Sequence, residues 1–209
     1  MLYTLPEEEE KNNYVDSMTP EERAAQAKIQ ESVVLTHTEG PETVIDISKK
    51  ETESVLSRMV APHSVVSREV TEDDIDRVIK EAQVMHQLCF TPNGNYQAAY
   101  AVHHAQIDDK DPLNFFVTGG RNIIINPKII RHSSYMVDSD EGCITYPHVP
   151  EIRIQRYRKL DVEYRTIMTD PENPDKFKMS DIIEERLTGR PSFVFQHEFD
   201  HGSAKYIYQ

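Results

Sequence analysis

The chain is short of cysteine, of long apolar runs and of positive charge, and each shortage excludes a class of protein. Its 209 residues include two cysteines, Cys89 and Cys143, so one disulfide is the most it can form. No disulfide framework holds this fold, and reduced thiols in an intracellular compartment are the expectation. No stretch approaches the uninterrupted apolar length of a membrane-spanning helix, so no membrane partner is expected. The first residues, MLYTLPEEEEK, lack the basic and apolar regions of a secretory signal. They are also too acidic for an organellar transit peptide, which leaves the cytoplasm as the expected location. Lys and Arg number 23 against 36 Asp and Glu, a formal net charge of −13. That sign argues against direct binding to a nucleic-acid backbone.

The charge is uneven. Residues 1–58 hold 13 acidic and 6 basic residues, a net of −7, with few aromatics and little periodicity. This region reads as an acidic extension, partly disordered or loosely docked. Inside it, TPEERAAQAKIQESV predicts a short helix, with Thr19 as N-cap, Pro20 at the first position and Glu22 closing a capping box. ETVIDIS predicts a short strand.

From Thr71 the pattern turns helical. TEDDIDRVIKEAQVMHQLCF opens on a capping threonine followed by acids that suit the helix dipole. Ile75, Val78, Ile79, Ala82, Met85 and Cys89 recur at helical spacing, a stripe that faces a core. TPNGN then predicts a turn. LNFFVT and RNIIIN, joined through Gly119-Gly120, predict a β-hairpin that Asn126-Pro127 closes. EIRIQRYRKLDVEYRTIM contains two alternating stretches that read as half-buried antiparallel strands. DPENPDKFK reads as an exposed loop. A last helix opens at Pro191 and stops near Gly202. One helix, several strands and a closing helix make an α+β fold with an antiparallel sheet.

Chemistry concentrates in the last helix. His197-Glu198-Phe199-Asp200-His201 has the H-E-x-x-H spacing, which puts both imidazoles on one helical face where they can share a metal. Glu198 projects beside that metal, placed to take a proton from a bound water. Such a pentapeptide also arises by chance, and a histidine pair on a helix is often no more than a surface pair. Position 207 is Ile207 rather than a third histidine, and no glutamate stands among the eight residues after His201. The third ligand is therefore expected upstream, and Cys143 in DSDEGCITYP is the strongest candidate, because thiolate binds zinc and ferrous iron well. Cys89, on the apolar stripe, is expected to be a buried core thiol.

These residues resemble a known family. Glu141-Gly142-Cys143-Ile144-Thr145 is similar to the E-G-C-[LI]-S motif of peptide deformylases, and Gln196 to His201 is similar to their Q-H-E-x-D-H motif. The likeness runs from about residue 62 to the end. It implies a catalytic domain over 62–209 preceded by an extension over 1–61. It also implies antiparallel sheets packed around a central C-terminal helix that carries H-E-x-x-H, in a short form without the family's usual C-terminal segment. The resemblance implies hydrolytic removal of the formyl group from N-formylmethionyl peptides of nascent chains, with the ribosome as a candidate partner. It places the metal ligands on Cys143, His197 and His201 and the general acid/base on Glu198. The formyl oxygen falls to Gln106 and to the backbone N–H of Ile144. The metal implied is Fe2+ in cells, with Zn2+, Ni2+ or Co2+ as substitutes.

The family's G-x-G-L-A-A-x-Q motif falls on Ala99 to Gln106, and here the pattern departs. Ala99 and Ala101 replace both glycines, and His103-His104 replaces the Ala-Ala pair. At least one of these histidines is expected to face outward. Arg156 is a candidate partner for Glu141, and Gln196 and Asp200 are expected to support the site rather than react. A methionine pocket involving Ile144, Phe193 or Val194 is expected. Two other readings stay open: a zinc peptidase, and a catalytically silent binding protein that keeps the fold.

Overall fold

The computed structural model describes residues 58–89, 99–119 and 122–209. The helix expected over 19–33, the strand over 42–48 and the turn over 91–95 lie outside them. The described residues all fall within one compact unit, Asp46–Gln209.

Thr71 opens the first helical segment. Its N–H and its hydroxyl both donate to the Asp74 carboxylate at 2.9 Å. Arg68 forks onto the same carboxylate at 2.8 and 2.9 Å. A 3₁₀ turn, Glu72–Asp74, leads into helix α1, Ile75–Cys89. Its buried face is Ile75, Val78, Ala82, Met85, Leu88 and Cys89. That is the expected stripe with Leu88 added, while Ile79 is only half-buried.

Strand β1, Ala101–His103, pairs antiparallel with β2, Phe115–Thr118, which pairs in turn with β3, Ile123–His132. The expected hairpin is therefore present, although Gly120 and Arg121 of its connection lie outside the described residues. Alternation along the strands divides the core. Val102, Phe115, Val117 and Ile125 turn toward α1 and join its buried face. Ala101, Phe116 and Ile124 turn the other way and pack with Leu160, Val162 and Phe195. Burial of each large side chain in such a core contributes about 1.5–3 kcal/mol relative to exposure.

Asn126-Pro127 does not close the second strand. Asn126 adopts φ 50°, and its side-chain amide exchanges hydrogen bonds with the Val70 backbone at 2.8 and 2.9 Å. The ladder slips between Ile125 and Lys128. This bulge takes up the proline, which has no N–H for the ladder, and β3 runs on to His132.

The two alternating stretches form β5, Ile152–Tyr157, and β6, Lys159–Arg165, but in different sheets. Strand β6 lies between β3 and β9, Ile183–Thr188, and completes a five-stranded sheet ordered β1-β2-β3-β6-β9. Strand β5 pairs with β4, Met136–Glu141, as a separate ribbon. DPENPDKFK is not a loop throughout. It forms the tip and much of the second strand of a hairpin between β7, Ile167–Asp170, and β8, Asn173–Met179. The described strand ladders are all antiparallel, so the α+β class with antiparallel sheets holds.

Helix α2, Arg190–Gly202, follows Gly189, whose φ of 67° turns the chain into the helix, and carries Pro191 in its first turn. Its apolar side places Phe195 in the second core cluster. Gln196 pins it to the end of β5: Oε1 accepts the Tyr157 N–H at 3.0 Å and Nε2 donates to the Tyr157 carbonyl at 2.9 Å. Ser192 Oγ donates to the same carbonyl at 2.8 Å.

Candidate metal centre

Helix α2 brings His197 and His201 to one face, and the loop after β4 lays Cys143 against them. One donor atom from each of the three lies within 4.8 Å of the others, and all three residues are buried. Cys143 Sγ is 3.4 Å from His201 Nε2. His197 Nδ1 donates to Glu141 Oε2 at 2.9 Å, which leaves its Nε2 for the centre. One sulfur and two imidazole nitrogens suit zinc or ferrous iron, so the residues fit a divalent ion of that kind. Burial keeps His201 well below the ordinary histidine range, so its ring is neutral and its lone pair is available. Burial also lowers His197, but its hydrogen bonds to Cys143 and Glu141 outweigh it and lift the ring to about 10. A divalent metal held by His197 would require the ring neutral and would displace that proton.

The expected pairing of Arg156 with Glu141 is present, and it extends further. The Arg156 guanidinium donates twice to Glu141 at 2.9 Å and once to Asp200 at 2.6 Å. Side-chain exposure is 8% for Arg156 and 9% for Glu141. Burial pushes the Glu141 carboxyl up, yet the hydrogen bonds from His197 and Arg156 hold it at about 2. Glu141 therefore stays ionised and orients the His197 ring. Asp200 and His197 come from α2, Arg156 from β5 and Glu141 from β4, so this chain of charges ties the helix to the ribbon that leads into Cys143.

Glu198 faces the same space and is 4% exposed. Burial raises its carboxyl to about 7, with Glu141 adding to the rise and His197 and Arg156 opposing it. Its Oε2 is buried with no hydrogen-bond partner among the described residues. A buried carboxylate oxygen without a partner is costly and is the kind of group that marks a reacting site.

Gln106 completes the wall. Its Nε2 donates to Thr145 Oγ1 at 2.9 Å and lies 3.6 Å from Cys143 Sγ. Gln106, Cys143, Ile144, His197 and Glu198 all line one groove of about 1110 Å³. Phe193 and Val194, expected at the methionine pocket, line it too, as do Ala99 and Ala101. Neither histidine of the divergent segment faces outward. His103 and His104 are both fully buried. Their Nδ1 atoms accept the N–H groups of Ala105 at 3.1 Å and Leu113 at 2.9 Å, and the His104 ring stacks on Phe115. Burial drives both below the normal range, to about 3 and about 4, so both rings are neutral. They are core groups, which a reading by type as polar residues could not show. Cys89 is buried in the α1 core as expected, and burial raises its thiol to about 12.

Sequence reasoning passed over two contacts. Thr145 stands in the sequence only as the last residue of a motif, yet its hydroxyl receives the Gln106 amide. The C-terminal KYIYQ folds over the cysteine loop: Tyr208 donates to the Pro150 carbonyl at 3.0 Å and packs edge-on against Tyr146, and Tyr206 lies beside His201. Three tyrosines brought together from 146, 206 and 208 carry no periodic signal.

Comparison with known proteins supports this grouping. The family model for polypeptide deformylase matches residues 41–209. A peptide deformylase of Thermotoga neapolitana is 33% identical over 85 residues, 41% of this chain and 44% of that protein. One from Oceanobacillus iheyensis is 33% identical over 104 residues, 48% of this chain and 46% of that protein. In these matches the chain spans less than half the length of the curated relatives. The crystal structure of the peptide deformylase of Thermotoga maritima shares the fold, with a TM-score of 0.54 at 24% identity, over 75% of this chain and 90% of that one.

Proposed function

The chain belongs to the polypeptide deformylase family, and on that premise we propose that it hydrolyses the formamide bond of N-formylmethionyl peptides, releasing formate and a free amino terminus. The observation that carries this reading is the convergence of a Cys143, His197 and His201 donor set with a Glu198 oxygen unpaired among the described residues and the Gln106 amide, at a groove that Gln106, Cys143, His197 and Glu198 line. When bound by those three residues, a divalent metal supplies Lewis-acid activation of water at neutral pH. Glu198 takes the proton of the attacking water and passes it to the amine nitrogen as the C–N bond breaks, a task that suits a carboxyl near 7. Gln106 Nε2 and the Ile144 N–H donate to the formyl oxygen as charge develops there. The peptide lies extended along β1, an edge of the five-stranded sheet, with its methionine side chain among Ile144, Phe193 and Val194.

In this reading the metal in cells is Fe2+, with Zn2+, Ni2+ or Co2+ able to substitute. The protein works in the cytoplasm on chains emerging from the ribosome. Residues 62–209 form the catalytic domain, and an extension over residues 1–61 precedes it, of which Met59, Val60 and Ala61 line the groove. The test is anaerobic purification, measurement of bound metal, and assay of formate release from formyl-Met-Ala-Ser. Turnover that is lost in Glu198→Ala with metal retained supports the reading. A metal-loaded chain that releases no formate at any peptide concentration overturns it and leaves a silent binder.

A further inference from the structure

The segment that carries Gln106 is held by a histidine. Strand β1 ends at His103, and a 3₁₀ turn, His104–Gln106, follows at once. The first N–H groups of such a turn have no partner inside it. His103 has the extended backbone of a capping residue, φ −89°, ψ 146°. Its ring Nδ1 accepts the Ala105 N–H at 3.1 Å, and its own N–H donates to Gln106 Oε1 at 2.8 Å. The side chain of 103 thus holds the backbone of 105 while the backbone of 103 holds the side chain of 106. With Oε1 fixed in this way, Nε2 faces the opposite side, toward Thr145 Oγ1 and Cys143 Sγ. His103, Ala105 and Gln106 are all buried, so a lost acceptor leaves a buried N–H unpaired. The far edge of the ring is wedged against α2, where a Cβ added to Gly202 would lie 3.1 Å from His103 Nε2.

We infer that His103 is a positioning residue for Gln106: its ring caps the turn and so fixes which way the Gln106 carboxamide faces. An apolar side chain can fill the space but cannot accept the Ala105 N–H. Asparagine can, because its Oδ1 reaches the place of the imidazole Nδ1 and asparagine is a favoured cap. The kinetic consequence rests on the deformylase reading, whereas the orientation is a property of the folded chain.

Two measurements on the full chain test this. The first follows the Gln106 side-chain amide by NMR, identified by its loss in Gln106→Leu. A resolved, slowly exchanging pair is expected in the unmutated protein and in His103→Asn, and an averaged, fast-exchanging pair in His103→Leu. The second measures formate release from formyl-Met-Ala-Ser. His103→Leu should lower kcat by about tenfold to a hundredfold with KM little changed, since an oxyanion donor acts in the transition state. His103→Asn should recover most of that loss, and His103→Leu added to Gln106→Leu should lower kcat no further. A protected Gln106 amide in His103→Leu overturns the inference, as does an equal kcat loss in the two backgrounds. If the unmutated chain releases no formate, the deformylase reading falls and the NMR comparison alone decides this one. Should His103→Leu not fold, His103→Ala makes the same comparison.

Discussion

Glu198, buried, and Glu141, part-buried, are two carboxyls about the same candidate ligand set, and their surroundings differ. Glu141 accepts from His197 and twice from Arg156 and stays charged. Glu198 has one oxygen with no partner among the described residues and sits near 7. In the proposed reaction the first orients a metal ligand and the second moves a proton. Glu198→Gln should lower kcat for formate release by about 10²- to 10⁴-fold, the usual worth of general acid/base catalysis, while metal content measured on the same sample stays unchanged. Glu141→Gln should instead weaken metal binding about 10- to 100-fold, read by chelator competition. At this scale the sequence was informative, because H-E-x-x-H spacing is geometry written in residue order. Thr145 and the burial of His103 and His104 were not legible, because they depend on distant segments: the loop after β4 sets Thr145 on Gln106, Phe115 of β2 covers His104, and Gly202 of α2 closes on His103.

Helix α2 carries His197, Glu198 and His201, two of the proposed donors and the proposed base, and its fit against the sheet is tight. A Cβ on Gly202 would lie 2.9 Å from Asn114 Oδ1 and 3.1 Å from His103 Nε2. Gly202→Ala should cost about 1–3 kcal/mol of stability by overpacking, measured as a lower urea midpoint at unchanged slope. Arg156→Met should also destabilise, by about 1.5–3 kcal/mol, because the part-buried Glu141 carboxylate loses its two guanidinium hydrogen bonds and keeps only the one from His197. Both helices were legible from apolar spacing and caps. Strands β4, β8 and β9 were not, since MVDSDE, NPDKFKM and IEERLT are held by main-chain pairing and show no apolar alternation to read. The bulge at Asn126 was hidden for a related reason: Asn-Pro looks like an end wherever the partner strand cannot be seen.

Across the molecule, α1 and α2 cover opposite faces of the β1–β3 part of the sheet. Stability of the α1 side rests partly on Asp74, whose carboxyl the Arg68 guanidinium holds well below the ordinary 3.8. A carboxyl depressed in the folded state contributes its full stability above the unfolded value and loses it as pH falls through that value and below. The urea midpoint should therefore drop as pH falls below about 4, and the drop should be shallower in Asp74→Asn. The acidic extension shows how far the composition could be read: its charge was plain, while residues 1–57 lie outside the described structure. In the proposed reaction, one metal held by Cys143, His197 and His201 is required for formate release. The most direct test of that requirement is formate release from formyl-Met-Ala-Ser as Fe2+ is titrated anaerobically into the chelator-stripped full chain. Release that rises from zero and levels at one equivalent is the result this account predicts. No release at any equivalent, or the same release without metal, would contradict it.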